Sequence, residues 1–230
     1  MALSRKLYQQ VIDDRRNLFG LRKDNIDESQ RVKGLLPKLA EESPAELERR
    51  SIESMKWYVG RMRKLKVNTD KFYKQSVMPR TRRYLEGRMY NFFYDPIGEE
   101  TLPYYDRFPL VLCMHIFPDR MMGLNLHYIQ PRYRLILLDE LFKYVNNTDY
   151  DERTRFRVTY PILKSASKLR WGRPCFKTYL FSQVHGNALE IEPEYWDIVS
   201  FLPTAQFMKK NIRSVYRDTL EKAKTWVDYT

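Results

Sequence analysis

Three histidines, two cysteines and four carboxylates near the middle of the chain are the residues whose types could support catalysis or hold a metal. His115, His127 and His185 are far apart, and none stands in an HxxxH, HxH or CxxC spacing, so a zinc or di-metal centre has little support. Asp95, Asp106, Asp119 and Asp139 flank one aromatic segment and could in principle gather around magnesium as a nuclease site. Ordinary roles account better for them. Asp95 precedes Pro96 in a turn, Asp119 starts another turn, and Asp139 is read on a helix surface. No GxxxxGK[ST], GxGxxG or GxSxG motif occurs, and eight glycines leave little material for a phosphate-cradling loop. The expectation is a non-enzymatic protein with no catalytic residue, no metal, no cofactor and no small-molecule substrate.

Charge carries a stronger signal. Forty-one Lys and Arg against 29 Asp and Glu give a formal +12, which is large for a chain of this size and suits a polyanionic partner. From Lys56 to Arg88 eleven basic residues meet only Asp70 and Glu86, so this stretch alone supplies +9. Arg61, Arg63, Lys64, Lys66, Lys71, Lys74, Arg80, Arg82, Arg83 and Arg88 are therefore the candidate nucleic-acid-binding residues. They would neutralise backbone phosphates and release counterions without reading sequence. The same segment could instead meet an acidic protein surface. In "LPYYDRFPLVL", Tyr104 and Tyr105 could stack on bases, as exposed aromatics do in single-strand binders. The competing reading places such aromatics in a core short of aliphatic volume.

The elements that must position these residues follow from local pattern. "SRKLYQQVIDDRRNLFGL" reads as a first helix from Ser4 to about Leu18, and Gly34 and Pro37 break the polar connector after it. "SPAELERRSIESMKWYVGRMRKL" has Ser43 at the N-cap, Pro44 next and Glu46 at the capping-box position, with Ile52, Met55, Val59 and Met62 as its apolar stripe. From Arg88 the period changes to β-formers, in "RMYNFFYDP", "FPLVLCMHIF" and an alternating "GLNLHYI". Tyr104, Phe108, Leu110, Leu112, Leu124 and Leu126 should be buried there. Pro131 opens another helix with Leu135, Leu138 and Phe142 on its face. "DYDERTRFRVTYPILKSASK" is helical, with Pro161 kinking or dividing it. "PCFKTYLFSQVHG" is ambiguous between helix and strand, "NALEIEP" is extended, "EPEYWDIVSFLP" is a short helix, and an amphipathic helix ends the chain.

The expected fold is α+β, a small antiparallel β-module, curved sheet or barrel, flanked by N- and C-terminal helices. Its expected divisions are a helical region 1–87, the β-module 88–130 and a mainly helical region 131–230 packed on it. Cys113 and Cys175 read as reduced core thiols, and the charged N-terminus has no apolar run of a secretion signal. No stretch reaches the roughly 18 apolar residues of a membrane span, so a soluble protein with no membrane partner is expected.

"RMYNFFYDPIGEETLPYYDRFPLVL", "GLNLHYIQPRYRLILLDEL", "YPILKSASKLRWGRPCFKTYL" and "EPEYWDIVSFLPTAQFMKKNIRSVYRDT" together resemble a virion-associated protein family of T-even-type contractile-tailed bacteriophages. Within that group the resemblance is to the DNA end protectors and head-completion proteins, basic proteins that accompany the packaged genome and shield its ends from host exonuclease. It implies synthesis in the host cytoplasm, a place in the virion, and DNA or other virion proteins, or both, as partners. It supplies no active site. Pro161 interrupts the pattern and puts an unbroken helix there in question. The alternative is a structural protein of the neck, tail or baseplate that docks on other subunits.

Overall fold

A computed structural model describes residues 43–64, 78–145 and 151–225. The helix expected near the N-terminus, the connector after it, and Lys66, Lys71 and Lys74 lie outside the described residues.

Helix α1, Pro44–Lys64, starts where its cap predicts. The Ser43 hydroxyl accepts from the Glu46 amide at 3.2 Å, and the Glu46 carboxylate turns to Arg49 at 2.6 Å. Its buried side is Leu47, Ser51 and Ser54, while Ile52 and Met55 of the expected stripe are 38% and 37% exposed. The helix packs on the one that begins at Pro131, and Arg50 reaches Asp139 of that helix at 3.5 Å. Asp139 is accordingly buried rather than on a helix surface.

The centre of the molecule is a six-stranded antiparallel sheet. Its strands are β1 (Arg80–Thr81), β2 (Met89–Tyr94), β4 (Leu110–Ile116), β5 (Arg120–Asn125), β6 (Phe176–Leu180) and β7 (Val184–Ile191). They lie in the order β1-β7-β2-β4-β5-β6, and β3 (Tyr105–Asp106) pairs separately with β8 (Phe207–Met208). The strands read over residues 88–130 form the middle of this sheet, and 176–191, part ambiguous in pattern and part extended, adds two more. β6 spans only five residues, a 3-10 turn at Phe181–Gln183 separates it from β7, and β7 itself is bulged, so the stretch shows no clear period.

The sheet curls without closing. Tyr179 on β6 packs edge-on against Phe92 and Tyr94 of β2, at 5.3 and 5.0 Å between ring centres, although β4 and β5 lie between those strands. Tyr84 stacks on Phe181 at 4.9 Å and closes over the same aromatic cluster. Aromatic bulk on the concave side replaces a second layer.

The opposite face is covered by helices α2 (Pro131–Val145), α3 (Glu152–Lys168), α4 (Trp196–Phe201) and α5 (Ile212–Thr225). Leu110, Leu112, Leu124 and Leu126 are at most 1% exposed, and Tyr104 and Phe108 are buried as well. Arg134 on α2 is buried, donating to the carbonyls of Ile129 and Ser200 at 2.7 and 2.6 Å and to the Tyr216 hydroxyl at 2.5 Å. One guanidinium thus joins α2, α4 and α5. Helix α3 runs through Pro161 undivided. Pro161 is exposed, so its ring points away from the packed side, and what the helix loses there is one backbone hydrogen bond.

Candidate nucleic-acid interface

β1 is two residues long and takes its place by pairing Arg80 with Leu189 and Thr81 with Ala188 of β7. The bend after it is held by Thr81, whose hydroxyl accepts from the Arg83 amide at 2.9 Å and lies 3.0 Å from the Arg83 carbonyl. Arg80, Arg82 and Arg83 are exposed along this edge. Arg82 Nε donates to Asn187 Oδ1 at 3.0 Å, which splays it across β7. None of the three meets a carboxylate among the described residues. Arg88 differs: it donates to Glu190 at 2.5 Å and is 23% exposed, so its charge is neutralised within the fold. Arg61, Arg63 and Lys64 fall in the last turn of α1.

Next to the arginines, the ladder between β2 and β7 breaks. Asn91 pairs with Leu189 and Phe93 with His185, so β7 carries the longer run between those pairs. Gly186, at φ +73° with open space where a side chain would stand, makes the detour. Such bulges re-aim side chains beside sites. Over this one lies a cavity of about 480 Å³, lined from the sheet by Arg80, Asn91, Phe93, His185 and Asn187. Phe108 and the segment 203–206 form its other wall. Phe93 is 48% exposed, and its ring lies 4.6 Å from that of Phe108. His185 Nε2 is 3.1 Å from Asp95, which also pairs with Arg107 at 3.3 Å. A second hollow, which shares Gly186 with the first, is lined by Arg82, Tyr84, Phe117 and Phe181 among others.

Behind the cavity wall stands a fully enclosed polar network. His127 Nδ1 is 2.8 Å from Asp106 Oδ2 and its Nε2 is 2.9 Å from the Thr204 hydroxyl. Asn125 Nδ2 donates to Asp106 at 3.1 Å and to the Tyr179 hydroxyl at 2.9 Å. The amides of Phe108 and Gln206 both donate to Asp106 Oδ1 at 3.2 Å. No member of the Asp106, Asn125, His127, Tyr179 and Thr204 set is more than 5% exposed. This network fixes the wall segment 203–206 to β3 and β5; its burial makes it scaffold. Asn125 and His127 therefore do not face solvent, as alternation in "GLNLHYI" suggests they would.

The four aspartates do not converge. Asp119 pairs with Arg120 at 3.3 Å, and the others are held as described above. Among the described residues no group of three or more His, Cys, Asp or Glu is placed to hold a metal. Both cysteines are buried, with their thiols pushed up to about 12 by burial, which makes them inert packing groups.

Tyr104 is not open for stacking. It is 8% exposed, and the ammonium groups of Lys210 and Lys222 lie 5.0 and 5.3 Å from its ring. Packing against Tyr128, 6.1 Å between ring centres, and beneath Lys222 of α5 is the physical reason. Tyr105 is half-buried, and its hydroxyl donates to Glu99 at 2.6 Å. An aromatic that does stand open beside Arg80 is Phe93, which local pattern does not mark because it sits in the consecutive aromatic run Phe92–Phe93–Tyr94 of an ordinary strand. Asn91 and Asn187 escape notice, and His185 is seen only as a lone histidine, because the bulge that gathers them joins parts of the chain far apart in sequence.

Among the described residues no helix is long and apolar enough to cross a membrane. No curated protein and no solved structure matches the chain. A family model described as phage T4 terminal DNA protecting protein matches residues 30–223. With most of its length matched by that model, and a curled antiparallel sheet that offers an arginine edge beside it, the chain belongs to the phage T4 terminal DNA protecting protein family.

Proposed function

We propose that this protein binds duplex DNA near its ends as a virion component, without catalysis, and shields those ends from exonuclease. The observation that carries the reading is the edge of β1, where Arg80, Arg82 and Arg83 stand exposed with no carboxylate partner among the described residues. Basic side chains left unneutralised on one edge attract a polyanion and contact phosphates regardless of sequence. Arg61, Arg63, Lys64, Lys66, Lys71 and Lys74 precede this edge in the chain and belong to the same basic stretch of sequence.

Reversing Arg80, Arg82 and Arg83 together to Glu tests it. The triple variant should keep its thermal midpoint, because none of the three is buried. It should lose affinity for every duplex sequence, with the slope of log K against log salt reduced by about 3, close to one for each phosphate no longer neutralised. Linear DNA mixed with the variant should be degraded by an exonuclease as fast as naked DNA. Unchanged DNA binding together with failure to enter particles would overturn the reading in favour of docking on an acidic virion protein.

A further inference from the structure

We propose that the cavity over the β2–β7 bulge takes the terminal nucleotide of a DNA strand, its base stacked on Phe93 and its phosphate at Arg80. The proposal rests on the end-binding reading and assigns a site to it.

The decisive group is Asn91. Its side chain is fully buried, and its Nδ2 donates to the carbonyls of Phe108 and Pro109 at 3.2 and 2.8 Å. Those bonds fix which way the amide faces, because the flipped amide would set its oxygen against two carbonyls. Oδ1 is then left buried with no hydrogen-bond partner among the described residues, on a residue that lines the cavity. A buried acceptor without a donor calls for a missing partner, a water or a ligand group, and here it sits on a residue of the cavity wall. Each of the four bases carries at least one N–H that could supply it, so the contact would not select sequence.

Three further features fit a nucleotide rather than a purely apolar ligand. The volume, about 480 Å³, lies in the range of small-ligand pockets, roughly 300–1,000 Å³. Phe93 presents nearly half its surface and is backed by Phe108, a rigid platform for a π-face. Arg80 lines the same cavity from an edge where its guanidinium is exposed. Only a strand end can deliver a base here without unstacking it from neighbours on both sides. A base inside a duplex would have to be flipped.

The test uses the full chain, deoxyadenosine 5′-monophosphate as probe, and one DNA in blunt linear and closed circular forms. Calorimetry with the mononucleotide should show saturable binding that Phe93→Ala weakens on the order of tenfold, the usual effect of removing one stacked aromatic. The wild-type preference for linear over circular DNA should fall by a similar factor in Phe93→Ala. Phe117→Ala, an exposed aromatic outside this cavity, should change neither. Absence of mononucleotide binding up to millimolar concentration, or equal binding by Phe93→Ala, overturns the proposal. A linear-DNA preference that survives in Phe93→Ala excludes the cavity while end binding stands. Equal wild-type affinity for linear and circular DNA removes the end-binding reading itself, and this assignment with it.

Discussion

A carboxylate that is 3% exposed and accepts from His127, Asn125 and two backbone amides ties the stability of this fold to pH. Burial alone would raise the Asp106 pKa. The charge of His127 and hydrogen bonds from His127, Asn125 and the Phe108 amide outweigh burial and hold the carboxyl below its ordinary value. A carboxyl depressed in the folded state stabilises it at pH values above the unfolded pKa, and that contribution is lost as pH falls through the folded value. The denaturation midpoint should therefore be flat near neutrality and drop on the acid side, starting around pH 4, the usual carboxylate range. Asp106→Asn should lower the midpoint at neutral pH and flatten the acid limb, and an unaltered acid limb in that variant would remove Asp106 from the account. None of this was legible locally. "YYDR" looks like a turn and "GLNLHYI" like a half-solvated strand, and only the fold shows that their polar residues face one another.

At the level of elements, the strands of 88–130 were readable because short runs of aromatic and aliphatic residues there are separated by turn residues. Leu112 lies in the middle of that sheet, paired with Met89 on one side and Leu124 on the other, and is 1% exposed. Leu112→Ala should cost about 2–4 kcal/mol in chemical denaturation, and a negligible shift would mean that the helices do not enclose it. α1 was readable in position and not in orientation. Its cap residues act within four positions of one another, whereas which stripe it buries depends on packing against α2, which lies far away in sequence. Pro161 taught the reverse lesson, since an exposed proline can be absorbed by a helix whose other side is well packed.

For the whole molecule, charge was the most legible property and the bulged site the least. Counting residues locates +9 between Lys56 and Arg88, yet counting cannot tell that Arg88 is neutralised by Glu190 while Arg80, Arg82 and Arg83 stay exposed. The distinction depends on β7, which passes beside both groups. That strand has a further consequence in time. Because β7 lies between β1 and β2 in the sheet, a chain emerging from the ribosome has both of its earlier partners long before the strand that joins them. Until Val184–Ile191 arrive, β2 has an open edge and β1 has no neighbour at all. Pairing across so many residues is slow, and open edges in the meantime invite association with other chains. A chain stopped after Leu180 should therefore be protease-sensitive and prone to aggregate, whereas one extended past α5 should resist digestion. Protection against limited proteolysis in the shorter chain would show that the sheet assembles without its joining strand. Assembly of the arginine edge and of the Asn91 cavity would then be among the last events of synthesis, which delays any DNA-binding surface until the protein is nearly complete.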